Sequence, residues 1–259
     1  MAWHSKWHNI KHKKSRADAA RWKIFTIHAK LIAMAAQKWW DPDLNPTLAE
    51  AIAKAKADNV PNDNIDRAIK KWTGDDKSAE TISEISYEWY APWWVAIIVR
   101  TLTDNKNRTA SNIRHIFSKM GWNLWENWVV SWMFDRKWYI IVSLESYNVE
   151  ELEELLLESD AEDFVVENWY LKIYTAVEDF MSVKNFLESK NIELEYAELD
   201  HIPQNYNEVS DFDNALKCIK MIEAFDEDED VEKVIHNADI SDDMYKEVED
   251  FIEKNKFRH

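Results

Sequence analysis

One stretch of the chain restricts the choice of fold more than any other, because its apolar pattern alternates between two periods. Between residues 135 and 203, β-branched runs typical of strands alternate with amphipathic stretches at helical spacing. In order, the segments are YIIVSL (139–144), NVEELEELLLES, DFVVEN, YLKIYTA, VEDFMSVKNFLESKN and IELEYAEL. This β-α-β-β-α-β order is that of a ferredoxin-like, split βαβ domain. We therefore predict such a domain over 135–203.

The segments on either side predict a second α/β domain that the first one interrupts. Strands TISEISYEWY and VAIIVRTL precede a helix, NRTASNIRHIFSKM, capped by Asn107, and a third strand is predicted over 128–134, WVVSWMF. The helix SDFDNALKCIKMIEAF, the acidic turn DEDED and the strand VEKVIHNA follow the inserted domain. We assign residues 81–134 plus 204–240 to this outer domain, and 241–259 to a C-terminal helix.

The first 80 residues predict a helical bundle behind a basic arm. RADAARWKIFTIHAKLIAMAAQK, NPTLAEAIAKAKADN and PNDNIDRAIKK have helical composition and spacing, with Asn45 and Pro46 as N-cap and first helical residue of the second. Short connections between helices favour a bundle. The chain is thus predicted to be α+β with three domains: an N-terminal helical bundle (1–80) and two ferredoxin-like α/β domains, one inserted in the other. In the first helix, one apolar face is predicted to contain Ile24, Ile27, Leu31 and Met34.

Charge is distributed unevenly along the chain. The net charge is −17, but residues 1–77 hold 15 Lys and Arg against 9 Asp and Glu, whereas residues 78–259 hold 17 against 40. Residues 1–38 contain 9 basic residues and one acidic residue, Asp18. A basic arm on an acidic body favours a polyanionic partner that contacts the N-terminal face. The alternative is an arm that is only solvated.

Two segments combine the side chains that nucleic acid requires. The arm has Lys and His beside the ring of Trp7, which suits phosphate contact and base stacking. The start of the helix after residue 104 has three cations at a helix N-terminus, which favours anions; ordinary surface charge around a capping loop is the alternative there. We expect nucleic-acid contacts at Lys6, Trp7, His8, Lys11, Lys13, Lys14, Arg16, Arg21, Lys23, Lys106, Arg108 and Arg114.

Nothing in the sequence marks catalytic chemistry. There is no phosphate-binding loop, no nucleophile elbow and no Cys/His nucleophile pair. His4, His8 and His12 have the spacing of one helical face, but no carboxylate or cysteine completes a metal set. The one cysteine, Cys218, lies in a helical pattern as a small buried residue and fits a reducing compartment. We expect no enzyme activity, cofactor, metal or membrane span, and a cytoplasmic location.

Glycine is scarce and tryptophan abundant. The chain has 2 Gly and 15 Trp, although Gly averages about 7% of residues in proteins. The Trp occur in segments with turn chemistry, such as KMGWNLWENWVVSW (119–132) and KWWDPD (38–43). Either Trp occupies positions suited to Gly, or it builds a Trp-rich binding surface. The first hypothesis is favoured because these Trp show no helical or strand period of their own.

Several long motifs span nearly the whole chain: HSKWHNIKHKK, DAARWKIFT, NVPNDNIDRAIKK, YEWYAP, TDNKNRTASNIRHIF and VSWMF. These motifs resemble the YebC-type family of bacterial regulators, whose mitochondrial relatives act as translational activators. The resemblance implies three domains and cytoplasmic, nucleic-acid-linked control of gene expression. It implies first a DNA-binding transcriptional regulator. The alternative is a ribosome-associated translation factor that binds RNA and relieves stalling, so the partner is DNA or ribosomal RNA.

The resemblance also implies which tryptophans stand where the family has glycine. Trp7 and Trp132 correspond to family tryptophans, and we expect Trp132 to be well packed in a strand. At the glycine-like positions we expect positive φ or exposed rings, with left-handed backbone at helix ends such as Trp39. These positions are Trp3, Trp22, Trp39, Trp40, Trp72, Trp89, Trp93, Trp94, Trp122, Trp125, Trp128 and Trp138.

Overall fold

The computed structural model of the chain describes residues 17–73, 81–91, 94–120, 129–167 and 169–255. These residues form the following helices and strands, in chain order. They are α1 (Ala17–Ala36), α2 (Pro46–Ala57), α3 (Asn62–Thr73), β1 (Ser83–Ala91), β2 (Val95–Thr103), α4 (Lys106–Lys119), β3 (Phe134–Ser143), α5 (Val149–Leu156), β4 (Asp163–Glu167), β5 (Tyr170–Thr175), α6 (Phe180–Ser189), β6 (Tyr196–Pro203), β7 (Asn207–Glu208), α7 (Phe212–Glu227), β8 (Val231–His236), β9 (Ala238–Asp239) and α8 (Asp242–Asn255).

The described residues form two structural units. One is the continuous segment 131–206, here called the inserted unit. The other, here called the larger unit, consists of the described residues of 17–130 and of 207–255, on either side of it. The helical bundle and the outer α/β domain both belong to the larger unit.

Helices α1, α2 and α3 form the predicted bundle of the larger unit. Its core contains Ile32 of α1, Leu48 of α2 and Ile65 of α3, all buried. The Asn45 side chain accepts a hydrogen bond from the Leu48 N–H at 3.2 Å and donates to the Ala35 carbonyl at 2.9 Å. Asn45 therefore caps α2 and also fixes the turn that leaves α1. The predicted cap at Asn45 is confirmed.

A second face of α1 packs against the sheet of the larger unit. Ile27, Leu31 and Met34 contact a cluster that includes Ile82 and Leu102. Because the opposite face of α1 contributes to the bundle core, this helix is apolar on two sides. It is the element that joins the bundle to the α/β part of the larger unit.

The sheet of the larger unit has the order β1-β2-β8 and is antiparallel throughout. Its buried middle strand, β2, is a continuous apolar run at its N-terminal half, as a strand covered on both faces requires. The Phe117 ring of α4 lies 5.0 Å from the Phe225 ring of α7 and 5.6 Å from the Trp89 ring of β1, between ring centroids. Cys218 of α7 is buried, and burial raises the pKa of its thiol to about 12, which confirms its structural role.

The inserted unit has one antiparallel sheet in the order β4-β5-β3-β6. Residues Ile140 and Val142 of β3 and Leu171 and Ile173 of β5 form a core with α5 and α6 on one face of this sheet. The chain order β-α-β-β-α-β with this strand order is ferredoxin-like. The prediction of an α+β chain with a helical bundle and two α/β domains, one inserted in the other, is confirmed.

The strand predicted over 128–134 is wrong. Residue 128 lies outside the described residues, residues 129–130 are not in a strand, and Ser131–Met133 forms a 3₁₀ turn. Strand β3 begins at Phe134 and belongs to the inserted sheet, where Phe134 pairs with Pro203. The charged residues 135–137 concealed this start from sequence analysis, because they resemble a loop between two strands.

Helix α4 is capped by Asn105 instead of the predicted Asn107. Asn105 has an extended backbone, and its side chain accepts a hydrogen bond from the Arg108 N–H at 3.1 Å. Asn107 lies inside the first turn. An N-cap needs this extended conformation and a free N–H three residues ahead, which Asn105 provides one residue before the helix begins.

Two asparagines close helices in the conformation that usually calls for glycine. Asn59 and Asn191 both have φ of 58° and follow the C-caps of α2 and α6. In each case the next residue, Val60 or Ile192, donates its N–H to a carbonyl five residues back, at 2.9 and 3.0 Å. These are Schellman closures with Asn at the left-handed position. A chain poor in glycine can therefore still end its helices tightly.

The tryptophan predictions have a mixed outcome. Trp94 has φ of 63°, and the rings of Trp22, Trp39 and Trp40 are exposed, as expected for glycine-like positions. Trp39 is not left-handed, so that expectation is wrong: α1 ends in an ordinary turn. The expectation for Trp132 is also wrong, because its side chain is 66% exposed in the 3₁₀ turn.

Other glycine-like tryptophans are packed or are not described. Trp89 is buried, and Trp138 stacks on Phe180 with ring centroids 4.0 Å apart. Trp72 lies in the last turn of α3. The remaining predictions concern residues that lie outside the described ranges: Trp3, Trp7, Trp93, Trp122, Trp125 and Trp128.

Replacing Trp94 with glycine is expected to stabilise the protein by about 1 kcal/mol, since a left-handed backbone costs an L-residue roughly 1–2 kcal/mol. The Trp94 ring is 78% exposed, so little packing is lost. Chemical denaturation would measure the change. The control is Trp40→Gly, an exposed Trp without positive φ. A loss of stability in Trp94→Gly equal to that in the control would show that φ is not the cause.

Candidate nucleic-acid interface

The predicted contact residues divide into two groups. The arm residues Lys6, Trp7, His8, Lys11, Lys13, Lys14 and Arg16 lie outside the described residues. Of the others, Arg21 and Lys23 lie on α1, and Lys106, Arg108 and Arg114 lie on α4. Both helices belong to the larger unit. The structure therefore tests the surroundings of these five residues.

On α1, the two predicted cations have different surroundings. The Lys23 Nζ donates a hydrogen bond to the Asp226 carbonyl at 2.6 Å, at the C-terminal end of α7. Arg21 is exposed. Seven residues after Lys23, on the same face of the helix, Lys30 donates to the Glu229 carbonyl at 2.9 Å. Lys23 and Lys30 thus hold α1 against the turn after α7, whereas Arg21 faces solvent.

On α4, Arg108 already has two acidic partners, although its side chain is 49% exposed. Its Nη2 lies 2.9 Å from the Asp230 carboxylate and 2.8 Å from that of Asp104. The hydrogen bond to Asp230 raises the pKa of Arg108, so the guanidinium stays charged. Lys106 and Arg114 are exposed on the same helix. Phosphate contact by Arg108 would compete with an ion pair that already exists.

Asp230 is the residue on which these interactions converge. It is 4% exposed, although the sequence predicts it only as the last residue of an acidic turn. Its carboxylate accepts hydrogen bonds from the Lys30 Nζ at 2.8 Å, from Arg108, and from the Thr109 hydroxyl at 2.8 Å. Its carbonyl accepts from the Leu102 N–H at 2.8 Å. Nothing in the run DEDED distinguishes its last carboxylate from the others, so only the fold could identify it.

These partners determine the ionisation of Asp230. Burial by itself would raise the pKa of this carboxyl, because a charge is disfavoured away from water. The hydrogen bonds from Lys30, Arg108 and Thr109 act in the opposite direction and hold the pKa of Asp230 below its ordinary value. The carboxylate is therefore ionised and paired throughout the neutral range.

A groove lies beside this cluster, between α1 and α3, and sequence analysis did not find it. Its volume is ≈ 330 Å³. One face of α1 forms the first wall, at spacings of three and four residues, and α3 forms the second. The lining residues are Trp22, Phe25, Thr26, Ala29, Lys30 and Ala33 from α1, Asn64, Arg67 and Ala68 from α3, and Ile82.

Arg67 is the functional candidate that the sequence-based analysis missed. It lies on the groove wall and is exposed. The spacing Asn64, Arg67, Ala68 puts all three on one side of α3, which was a usable signal. It was overlooked because the basic arm dominated the charge count of residues 1–77.

The described ranges contain neither of two other classes of site. There, no group of three or more His, Cys, Asp or Glu side chains is arranged to hold a metal ion. No helix in the same ranges is long and apolar enough to cross a bilayer. The three histidines His4, His8 and His12 lie outside the described residues.

Two family models match the chain. Residues 5–75 match the model described as TACO1/YebC protein N-terminal domain. Residues 82–238 match the model described as TACO1/YebC second and third domain.

Curated relatives and a solved structure resemble the chain over most of its length. A probable transcriptional regulatory protein of Maridesulfovibrio salexigens is 44% identical over 96% of this chain and 100% of its own. A protein of the same description from Halothermothrix orenii is 43% identical over 96% of this chain and 99% of its own. The crystal structure of a conserved hypothetical protein from Aquifex aeolicus superposes with a TM-score of 0.75 at 40% identity, covering 90% of this chain and 96% of that one.

Asp230→Asn is expected to lower the free energy of unfolding by about 3 kcal/mol at neutral pH, because it leaves Lys30 and Arg108 without their shared anion. Since the folded-state pKa of Asp230 is lowered, its contribution is present above the ordinary Asp pKa of about 3.9 and is lost as pH falls through the lower folded-state value. The difference between parent and variant should therefore shrink in acid.

Urea denaturation at several pH values would measure this difference. The control is Glu229→Gln, which removes one negative charge from the same turn at an exposed side chain. Equal effects of the two changes at neutral pH would contradict the role given to Asp230.

Proposed function

Because the chain belongs to the TACO1/YebC family, we propose that it is a nucleic-acid-binding regulator of gene expression, in the first instance a DNA-binding transcriptional regulator. Its relatives are described as probable transcriptional regulatory proteins, which supports the regulatory part of the proposal. The proposal includes a cytoplasmic location and no catalytic step.

The observation that supports the proposal is the opposite net charge of residues 1–77 and residues 78–259. Residues 1–77 are rich in Lys and Arg, while the rest has 40 acidic against 17 basic residues. Such a distribution directs a polyanion to the N-terminal part and repels it elsewhere. Arg21 and Arg67 are exposed on the described helical bundle, which extends the basic arm onto a folded surface.

Within the described residues, the predicted contact residues differ in whether their side chains already have partners. Lys23 and Arg108 already have partners inside the larger unit. Arg21, Lys106 and Arg114 remain exposed. We propose that the arm and the α1–α3 side of the bundle form the main contact, with the start of α4 contributing a weaker one.

The groove favours a second candidate function, a ribosome-associated translation factor that binds RNA and relieves stalling. RNA recognition commonly places unpaired bases against aromatic side chains. The groove has an exposed indole, Trp22, at its edge and a cation, Arg67, on its wall. The backbone of a regular duplex offers no unpaired base for the Trp22 ring, whereas Arg67 could contact the phosphates of either ligand.

Crosslinking in cells, followed by sequencing of the bound nucleic acid, would separate the two candidates. Enrichment of promoter DNA would support the transcriptional regulator. Enrichment of ribosomal RNA would support the translation factor. Recovery of neither above an uncrosslinked control would contradict the shared proposal.

Replacing Lys11, Lys13 and Lys14 with Glu is expected to weaken binding by a similar factor on all sequences. It should also lower the salt slope of binding by about one unit for each lost phosphate contact. Anisotropy titrations at several salt concentrations would measure both. The matched control places the same charge change on the acidic body, at the exposed residues Lys217, Lys220 and Lys246. Undiminished affinity in the arm variant would contradict the assignment.

A further inference from the structure

We propose that the α1–α3 groove binds one unpaired base of a single-stranded nucleic acid, while Arg21 and Arg67 contact the phosphates beside that base. This inference rests on the proposed nucleic-acid function. It adds that the nucleic acid is bound as a single strand and that the α1–α3 groove is the site that recognises it.

The size of the groove suits a flat heterocycle. Its volume of ≈ 330 Å³ is at the lower end of the roughly 300–1,000 Å³ found for small-molecule sites. A helix of a protein partner, with a diameter of about 10–12 Å including side chains, would need a longer and wider depression. One base is the part of a nucleic acid that matches these dimensions.

The walls have the chemistry that a base requires. Ala29, Ala33 and Ala68 leave space because their side chains are small, and Phe25 adds an aromatic face. The Trp22 ring at the groove is 71% exposed, so one of its faces is available for stacking. Every base can stack on an aromatic side chain, so this contact does not depend on the nucleotide sequence. Asn64 adds an amide that can both donate and accept hydrogen bonds.

The charges near the groove complement a single strand. Arg21 and Arg67 are exposed, and neither guanidinium has an ion pair or hydrogen-bond partner within the described part of the chain. Asp63 and Asp66 of α3 are also exposed, but Arg67, Lys70 and Lys71 outnumber them on that helix. Arg67 lines the groove, and Arg21 lies on α1 four residues before Phe25, which also lines it. These cations favour a phosphate–base–phosphate segment over an apolar peptide.

Lys30 gives the groove a fixed wall. Its ammonium is held by Asp230 at 2.8 Å, so its aliphatic stem faces the groove while its charge is already paired. This part of the wall is therefore held in place before a base enters. A regular duplex cannot supply that base, because its bases are stacked and paired unless they are flipped out.

The test compares four fluorescent probes of about 12 nucleotides on the full chain. They are a uridine single strand, a thymidine single strand, an abasic single strand with the same phosphates, and a duplex. Both base-bearing single strands are expected to bind at least about fivefold more tightly than the abasic strand, the effect of one stacking contact. Equal binding of the abasic strand would overturn the inference.

Groove-filling variants make the test specific. Ala29→Met and, as a second variant, Thr26→Met should remove the preference for base-bearing strands and leave abasic binding unchanged. The control Ala53→Met adds the same side chain on the exposed side of α2. Circular dichroism melting would show that each variant is folded. If both folded variants keep the full preference for bases, the groove is not the base site.

Two charge-reversal variants test the role of Arg67. Arg67→Glu should weaken all four probes, whereas Lys56→Glu, the same change at an exposed position of α2, should weaken them less. Equal effects would overturn the role of Arg67. Binding of no probe by the parent chain would refute the proposed function itself. Binding of all four probes with equal affinity would refute only the base-binding groove.

Discussion

The buried carboxylate of Asp230 is the interaction on which the larger unit depends. A buried charge is tolerated only when it is paired and hydrogen-bonded, and here the partners of the carboxylate come from three elements: Lys30 of α1, Arg108 and Thr109 of α4, and the Thr103 hydroxyl of β2. The helical bundle is therefore attached to the sheet by a directional contact in addition to the apolar face of α1. Its position, and that of the groove beside it, follows from this contact.

The same cluster decides which cations are available to a ligand. Lys23, Lys30 and Arg108 lie in basic segments, yet each has an internal acceptor. Arg21 and Arg67 have none in the described part of the chain. A charge count treats all five as equal. The fold divides them into residues that hold the bundle on the sheet and residues that extend the surface of the basic arm.

Local patterns predicted the elements well and long-range contacts poorly. The β-α-β-β-α-β order and the Asn45 cap could be predicted because each depends on neighbouring residues. The start of β3 could not, because Phe134 joins the inserted sheet by pairing with Pro203, far along the chain. The burial of Asp230 and the groove depend on packing between α1, α3, α4 and the turn after α7, which no local pattern encodes. Trp132 shows the same limit, since it was predicted to be well packed in a strand and is exposed.

The pairing of Phe134 with Pro203 also bears on how the chain reaches its final topology. Strands β3 and β6 begin and end the inserted unit side by side, and the Gln204 N–H donates to the Met133 carbonyl at 2.9 Å. Once that sheet forms, the two flanking stretches of chain are linked as if by a short loop. The entropic cost of closing a loop rises with its length. With the insert folded, the chain between β2 and β8 behaves as a shorter loop, so the pairing of these two strands costs less entropy than the full number of intervening residues would require. Early folding of the insert would thus speed the assembly of its host.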